Sequence, residues 1–215
     1  MERDPQALIE RLRREGVLHS AAGMGAGARP RTLPTGVEEL DRVLGGGLPR
    51  GRLVEVIGPV SSGRTALLFR VLASATARGE QTALIDAADA FDPDAGALAG
   101  VRLDRLLWVR PRKPLEASRA ADLLLDAGGF GIVALDMRRP PAVVWPRLSL
   151  RAERSGSVLL VLGEHREAGT FASLVLGLRR GRARWVGGGA SPLLLERLDA
   201  RIEILRRKVS DQHAA

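Results

Sequence analysis

The sequence predicts an α/β protein in which a mostly parallel sheet is flanked by helices. Short apolar segments alternate with amphipathic segments of helical length between residues 35 and 163, a pattern typical of parallel sheets with helices on both faces. One apolar segment enters the glycine-rich turn GPVSSGRT at 58–65, and a helical pattern follows, which is the order of a phosphate-binding loop. After Phe171 the apolar residues alternate at period two, which predicts antiparallel strands at the C-terminal end.

The composition limits the classes of protein to consider. A chain of 215 residues with 45% hydrophobic and 27% charged residues can bury the core of one domain. Cysteine is absent, which excludes disulfides and thiolate metal sites. No apolar run approaches the ~20 residues of a membrane helix, and the charged start predicts no secretory signal. The expected location is the cytoplasm, in association with the nucleoid. No metal site is predicted, because the histidines lack ligand-like spacing: His19, His165 and His213.

The charge balance is strongly basic and comes almost entirely from arginine. The net charge is +8, and only Lys113 and Lys208 are lysines. Such a balance favours attraction to nucleic acid or to an acidic partner. A coding bias that uses arginine for any solvated cation explains it equally well, because acidic residues are mixed through much of the chain.

The first 34 residues are predicted to lie outside the main domain. Asp4 and Pro5 fit the start of a helix, and its apolar stripe is Leu8, Ile9 and Leu12. We assign an N-terminal helical arm to 1–19, a flexible Gly/Ala/Pro-rich linker to 20–34, the core to 35–210 and a tail to 211–215. The apolar stripe is a candidate contact with a partner or a sister protomer, and an arm folded onto its own domain fits equally.

Within the core, each predicted element has its own pattern. Thr35 is predicted to cap a first helix that glycines end after Leu44. Buried strands are predicted at 52–58, 82–86, 105–110, 131–136 and 157–163, helices at 65–79 and 116–129, and alternating strands after Phe171 and at 198–209.

The turn at 58–65 is the candidate nucleotide site. Its glycines let backbone N–H groups approach phosphate oxygens, and Thr65 offers a hydroxyl ligand for Mg²⁺. Arg64 stands where the pattern requires lysine, and a planar, forked guanidinium is a poor substitute for a compact ammonium in a tight cradle. We therefore expect at most weak binding of ATP and Mg²⁺. The candidate residues are Gly58, Ser61, Ser62, Gly63, Arg64, Thr65 and, at the end of an apolar strand, Asp136.

A longer stretch identifies a family resemblance. The chain resembles RecA recombinase at 33–93 in the order, spacing and identity of its residues, which read LPTGVEELDRVLGGGLPRGRLVEVIGPVSSGRTALLFRVLASATARGEQTALIDAADAFDP. A weaker resemblance extends to about Val209. The resemblance implies a RecA-like P-loop core. In its length and in its differences from RecA, the chain is most similar to ImuA, the RecA-like member of the bacterial mutasome. That group accompanies an inactive Y-family polymerase homologue (ImuB) and an error-prone C-family polymerase in damage-induced mutagenesis.

Departures from RecA indicate a site that no longer hydrolyses ATP. The resemblance places Ala88 where RecA has the glutamate that activates water, and alanine cannot accept a proton. The side chain of the adjacent Asp89 is expected to point elsewhere. Ala95 stands at the position of the tyrosine that stacks on adenine, and Glu164 at that of the glutamine that senses the γ-phosphate. Losing a positioned base costs about 10²–10⁴ in rate, so no catalytic residue is assigned.

The DNA-binding apparatus is also predicted to be reduced. The segment after Asp136 is expected to be too short for RecA's first DNA loop plus its usual helix, and the loop after Glu164 is cut to a few residues. Arginines cluster in these segments and could hold DNA phosphates without base readout; a solvated basic rim is the alternative. They are Arg138, Arg139, Arg147, Arg151, Arg154 and Arg166.

The resemblance also gives the expected partners. Arg206 and Lys208 match two RecA lysines that reach the neighbouring protomer's ATP site, so they are candidates for docking on RecA or for self-association. The resulting hypothesis is an ATPase-deficient adaptor of SOS mutagenesis and translesion synthesis that binds an ImuB-like polymerase homologue and RecA, with non-specific DNA contact as an option. Alternatives are a weak DNA-dependent ATPase or DNA-binding protein of recombinational repair, and a SulA-type division inhibitor.

Overall fold

The computed structural model describes residues 31–137, 141–188 and 191–208. Within those ranges the chain forms nine strands and five α-helices. The strands are β1 (Thr32–Leu33), β2 (Leu48–Pro49), β3 (Leu53–Ile57), β4 (Gln81–Asp86), β5 (Leu106–Val109), β6 (Phe130–Asp136), β7 (Val158–Gly163), β8 (Ala172–Gly188) and β9 (Ser191–Arg207). The helices are α1 (Glu38–Leu44), α2 (Arg64–Ala77), α3 (Pro93–Leu98), α4 (Pro114–Ala127) and α5 (Trp145–Ser155).

Seven of these strands form one sheet in the order β5-β4-β6-β7-β3-β8-β9. Six run parallel, and β9 returns antiparallel to β8 at the edge. Strands β1 and β2 pair separately as a short antiparallel ladder. The predicted fold class, a mostly parallel sheet with antiparallel strands at the C-terminal end, is therefore confirmed.

Apolar cores lie on both faces of the sheet, as continuous apolar strands predict. Helices α4 and α5 cover one face, where Leu125 and Trp145 are almost fully buried. Helices α1 and α2 cover the other face, where Leu72 is fully buried. Two-sided burial holds the strand ends rigidly in place, and the candidate site lies at those ends.

The start of α1 differs from the prediction. Thr35 does not cap the helix, which begins after Val37 without a side-chain cap. The Thr35 hydroxyl instead donates to Asp41 Oδ1 at 2.8 Å and accepts from the Val37 N–H at 3.1 Å. The C-terminal end was predicted correctly, because Gly45 ends α1 with φ of 72°, a left-handed conformation that glycine adopts without strain.

One predicted boundary and one unpredicted helix differ from the sequence-based prediction. Leu33 is fully buried and belongs to β1, so the folded core begins before Thr35. The segment after Asp136 contains a helix, α5, which was not predicted, and only residues 137–144 connect it to β6. The apolar stripe of the arm, the linker before residue 31 and the tail at 211–215 lie outside the described residues.

The β8–β9 hairpin extends beyond the sheet. Strand β3 pairs with β8 only from Leu53 to Ile57, whereas the pairing of β8 with β9 continues as far as Gly188 and Ser191. Because β8 runs parallel to β3, the hairpin after Gly177 projects past the carboxyl end of β3. Among the described helices, none combines the length and apolarity needed to cross a membrane.

Candidate functional site

The phosphate-binding turn predicted at 58–65 connects β3 to α2. Helix α2 begins at Arg64 behind Gly63, whose φ is 98°, and Ser61 also has a positive φ of 62°. The Ser62 N–H donates to the Pro59 carbonyl at 3.2 Å, and the Gly58 N–H donates to the Gly163 carbonyl at 3.2 Å. The order of strand, turn and helix that the motif requires is present.

Packing within the chain itself requires both glycines of the motif. A Cβ on Gly58 would overlap the Leu178 carbonyl oxygen and lie 2.6 Å from Ser62 Oγ. A Cβ on Gly63 would lie 2.8 Å from the Ala200 Cβ. Leu178 and Ala200 belong to the β8–β9 hairpin, so the hairpin packs directly on the turn. Retention of these glycines is therefore explained without a bound phosphate.

The polar side chains of the turn differ in exposure. Thr65 is exposed and Arg64 is half-buried. Ser62 Oγ is buried and has no hydrogen-bond partner within the described ranges. Asp136 ends β6, which is separated from β3 by β7 alone, about 10 Å away at the usual strand spacing. The structure thus places the predicted nucleotide-site residues along one edge of the sheet.

Asp86, which sequence analysis did not single out, organises the turn after β4. Its carboxylate is buried and accepts from the Ala90 and Phe91 N–H groups at 3.0 and 2.9 Å and from Trp108 Nε1 at 3.3 Å. The turn that carries Ala88 is therefore fixed by the aspartate at the end of its own strand.

Asp89 forms a bidentate ion pair across the strand ends. It has a positive φ of 52°, and its Oδ1 and Oδ2 accept from Arg110 Nε and Nη2 at 2.7 and 2.8 Å. Hydrogen bonding to Arg110 lowers the pKa of the Asp89 carboxyl below its usual value. The Arg110 guanidinium also lies 4.8 Å from the Trp108 ring centroid, within cation–π range. Ala88 is exposed beside this pair.

The residue that replaces the adenine-stacking tyrosine in the resemblance lies in a short helix. Ala95 lies in α3, whose N-cap is Asp92, and the Asp92 carboxylate accepts from the Asp94 and Ala95 N–H groups at 2.9 and 3.3 Å. Asp92 is therefore used as a helix cap.

The two candidate docking cations at the C-terminal end of β9, Arg206 and the following Lys208, contact their own chain. Arg206 Nη1 donates to the Gly169 carbonyl at 2.8 Å, and Lys208 Nζ donates to the Thr170 carbonyl. Both acceptors lie in the connection between β7 and β8.

The six candidate DNA-phosphate arginines are not brought together on one loop. Arg147 and Arg151 lie on α5 and pair with Asp122 and Asp126 of α4, with Arg147 Nε 2.7 Å from Asp122 Oδ1. Arg154 is exposed on the same helix, and Arg166 is exposed in the β7–β8 connection. Arg138 and Arg139 lie outside the described ranges. Two of the guanidinium groups therefore join neighbouring helices.

A second arginine group, which was not among the predicted candidates, lies on the β8–β9 hairpin, and the run GLRRGRAR at 177–184 is its sequence signal. Arg179, Arg180, Arg182 and Arg201 are exposed, and Arg179 stands directly opposite Arg201 in the ladder. Like charges in opposite positions destabilise a strand pair. The adjacent Glu203 carboxylate lies 4.0 Å from Arg179 Nη2.

The family of the chain follows from its similarity to known proteins. The sequence profile of the RecA N-terminal domain matches residues 12–158. The chain belongs to the RecA N-terminal domain family. A solved structure of the RadB recombinase has the same fold, with a TM-score of 0.58, 21% identity, and coverage of 68% of this chain and 83% of that one.

Proteins named RecA are similar over part of this family member. The Streptomyces avermitilis protein is 38% identical over 141 residues, or 63% of this chain and 37% of its own. The Methylococcus capsulatus protein is 42% identical over 126 residues, or 58% and 35%. The Frankia alni protein is 33% identical over 190 residues, or 86% and 51%. The chain thus spans about half the length of these relatives, or less.

Proposed function

We propose that this RecA-family chain is an ATPase-deficient adaptor of SOS-induced translesion synthesis, similar to ImuA, which binds an ImuB-like polymerase homologue and RecA. The observation that carries the proposal is the arrangement of residues 88 and 89 in the turn after β4. Ala88 occupies the position of the family's water-activating glutamate, and the neighbouring Asp89 carboxylate is held by Arg110 in two hydrogen bonds of 2.7 and 2.8 Å.

A general base must offer a free lone pair within hydrogen-bond reach of the attacking water. Ala88 has none. Asp89 is directed to Arg110, and the resulting lower pKa makes its carboxylate a weaker base. A chain that cannot turn over ATP retains the RecA shape as a docking scaffold, which supports an adaptor role.

Weak nucleotide binding is compatible with this proposal. Backbone N–H groups at the start of α2 and the exposed Thr65 hydroxyl are suitable donors and ligands for a phosphate and its Mg²⁺. Arg64 supplies charge without the compact ammonium of the pattern. Bound Mg-ATP would bring a triphosphate and its negative charge to the turn at 58–65. Arg64, Thr65 and Asp136 are the residues that would hold it.

Co-purification tests the adaptor role. Tagged full-length chain is expected to recover both RecA and the polymerase homologue from nuclease-treated lysate of damage-induced cells of its own organism. The triple variant Leu8→Ala, Ile9→Ala, Leu12→Ala is expected to lose one partner at least. This variant is preferable to deletion of residues 1–34, because Leu33 is buried in β1. Recovery of neither partner by the unaltered chain would contradict the proposal.

Direct DNA binding is a second candidate function, and the arginine hairpin favours it. Exposed arginines project past the strand ends, with Arg179 opposite Arg201. An anionic backbone lying along the hairpin would relieve their repulsion, in a sequence-independent and salt-sensitive mode.

The salt dependence of DNA binding distinguishes this candidate. Exchanging Arg179, Arg180 and Arg201 together for glutamine is expected to lower the slope of log affinity against log salt by about 2, at ~0.7 per phosphate contact on single strands. The matched control exchanges three exposed arginines elsewhere, Arg42, Arg78 and Arg102, and should leave the slope unchanged. An equal effect of both triple variants would mean that only net charge matters, and the hairpin would lose its role.

A further inference from the structure

A buried carboxylate in β3 fixes the middle of the β7–β8 loop, which we define as residues 164–171. Glu55 is 1% exposed, and its Oε1 accepts from the Glu167 and Ala168 N–H groups at 2.7 and 2.8 Å. Ala168 is itself 1% exposed. Because β3 leads directly into the phosphate-binding turn, Glu55 joins the β7–β8 loop to the base of that turn.

The other end of the β7–β8 loop is held from β9. Arg206 and Lys208 donate to the carbonyls of Gly169 and Thr170. The Phe171 N–H donates to the Ala168 carbonyl at 2.9 Å, and the Lys208 N–H to the Ser173 carbonyl at 2.8 Å. Two N–H groups of this short loop therefore bond to Glu55, and two of its carbonyls accept from the side chains of Arg206 and Lys208.

Glu55 itself occupies a fixed position. In the ladder it stands beside Val161 of β7 and Val175 of β8, so strands flank it on both sides. A second loop arrangement would remove the Glu167 and Ala168 N–H groups from Glu55 and leave a buried carboxylate without donors. Buried polar groups without partners are strongly disfavoured.

We propose that Glu55, Arg206 and Lys208 act as a latch that keeps the β7–β8 loop in one conformation whether or not nucleotide is bound. The exposed residues Glu164, His165 and Arg166 then form a surface of constant shape beside the phosphate-binding turn. This inference concerns the loop alone and holds for an adaptor and for a DNA-binding protein.

Hydrogen exchange of the full chain tests the latch. The amides of Glu167 and Ala168 are expected to exchange slowly in the unaltered protein, and adding Mg-ATP or single-stranded DNA should change their rates by less than about two-fold. Glu55→Leu, which removes the acceptor, should accelerate both amides by about ten-fold or more. Glu55→Gln is the matched control, because its amide oxygen can still accept both hydrogen bonds, and it should preserve most of the protection.

A second variant avoids the core if Glu55→Leu fails to fold. The double variant Arg206→Ala, Lys208→Ala removes the contacts from the edge strand, and should accelerate exchange across 164–171 while amides of β3 and β6 keep their rates. Free exchange of the Glu167 and Ala168 amides in the unaltered protein would overturn the latch. So would a large response of the loop to Mg-ATP, or unchanged loop exchange in the double variant.

Discussion

Purified protein given Mg-ATP and single-stranded DNA is expected to release phosphate about 10²–10⁴-fold more slowly than a RecA protein assayed beside it. Under the proposed function, Ala88 offers no base to the attacking water, and Arg64 replaces the compact ammonium that the phosphate-binding pattern requires. Arg110 holds the adjacent carboxylate, Asp89, through two hydrogen bonds of 2.7 and 2.8 Å. Release of inorganic phosphate under saturating nucleotide measures the rate, and equilibrium binding of a fluorescent ATP analogue reports separately whether nucleotide is held.

Two variants show which carboxylate is responsible if hydrolysis occurs. Asp89→Asn removes the carboxylate next to Ala88 in the chain and should leave the rate at background. Ala88→Glu restores the family residue, but we expect little gain from it without the additional exchange Arg64→Lys. Turnover by the unaltered chain that disappears in Asp89→Asn would mean that Asp89 has replaced the missing glutamate, and the proposed loss of activity would be wrong.

The sheet was predictable because its strands are buried on both faces. Segments such as the one from Phe130 to Leu135 contain no polar side chain, and such runs next to glycines indicate buried parallel strands. Helix α5 was missed because Trp145, Leu148 and Ala152 are its only buried residues, and they are separated by arginine, serine and proline. A narrow apolar stripe of this kind is difficult to distinguish from a loop.

The candidate site was predictable only where its residues are contiguous. The turn at 58–65 lies in one segment, so the motif placed it correctly. Asp89 and Arg110 are 21 residues apart and meet because β4 and β5 are adjacent in the sheet, which the chain order alone does not specify. Glu55 and Ala168 are 113 residues apart, and a single carboxylate inside an apolar strand gave no indication of its partners.

The same consideration applies to the arginines. Sequence analysis grouped Arg147 and Arg151 with loop cations, yet Asp122 and Asp126 of α4 pair with them. The two arginines are four residues apart, about one helical turn, and so are the two aspartates. The ion pairs therefore form when α4 and α5 pack side by side. Abundant arginine therefore serves partly to join helices, and charge alone does not identify a nucleic-acid surface.

Glu80→Ala is expected to lower the free energy of unfolding by about 3–5 kcal/mol. Glu80 Oε1 lies 2.7 Å from Arg50 Nη2, and the two side chains are only 15% and 9% exposed. Arg50 Nε and Nη1 are buried without other partners in the described part of the chain, so removing the carboxylate leaves an uncompensated guanidinium. Urea unfolding measures the change as a lower midpoint with an unchanged slope.

An exposed pair of the same chemistry provides the matched control. Glu38 and Arg42 lie 3.1 Å apart on α1, with side chains 89% and 70% exposed, and Glu38→Ala should cost at most about 0.5 kcal/mol. Replacing both buried partners, Arg50→Met with Glu80→Leu, should recover most of the loss or exceed the original stability by about 1–4 kcal/mol. If Glu80→Ala costs no more than Glu38→Ala, water must reach Arg50, and the pair would contribute no more than a surface ion pair.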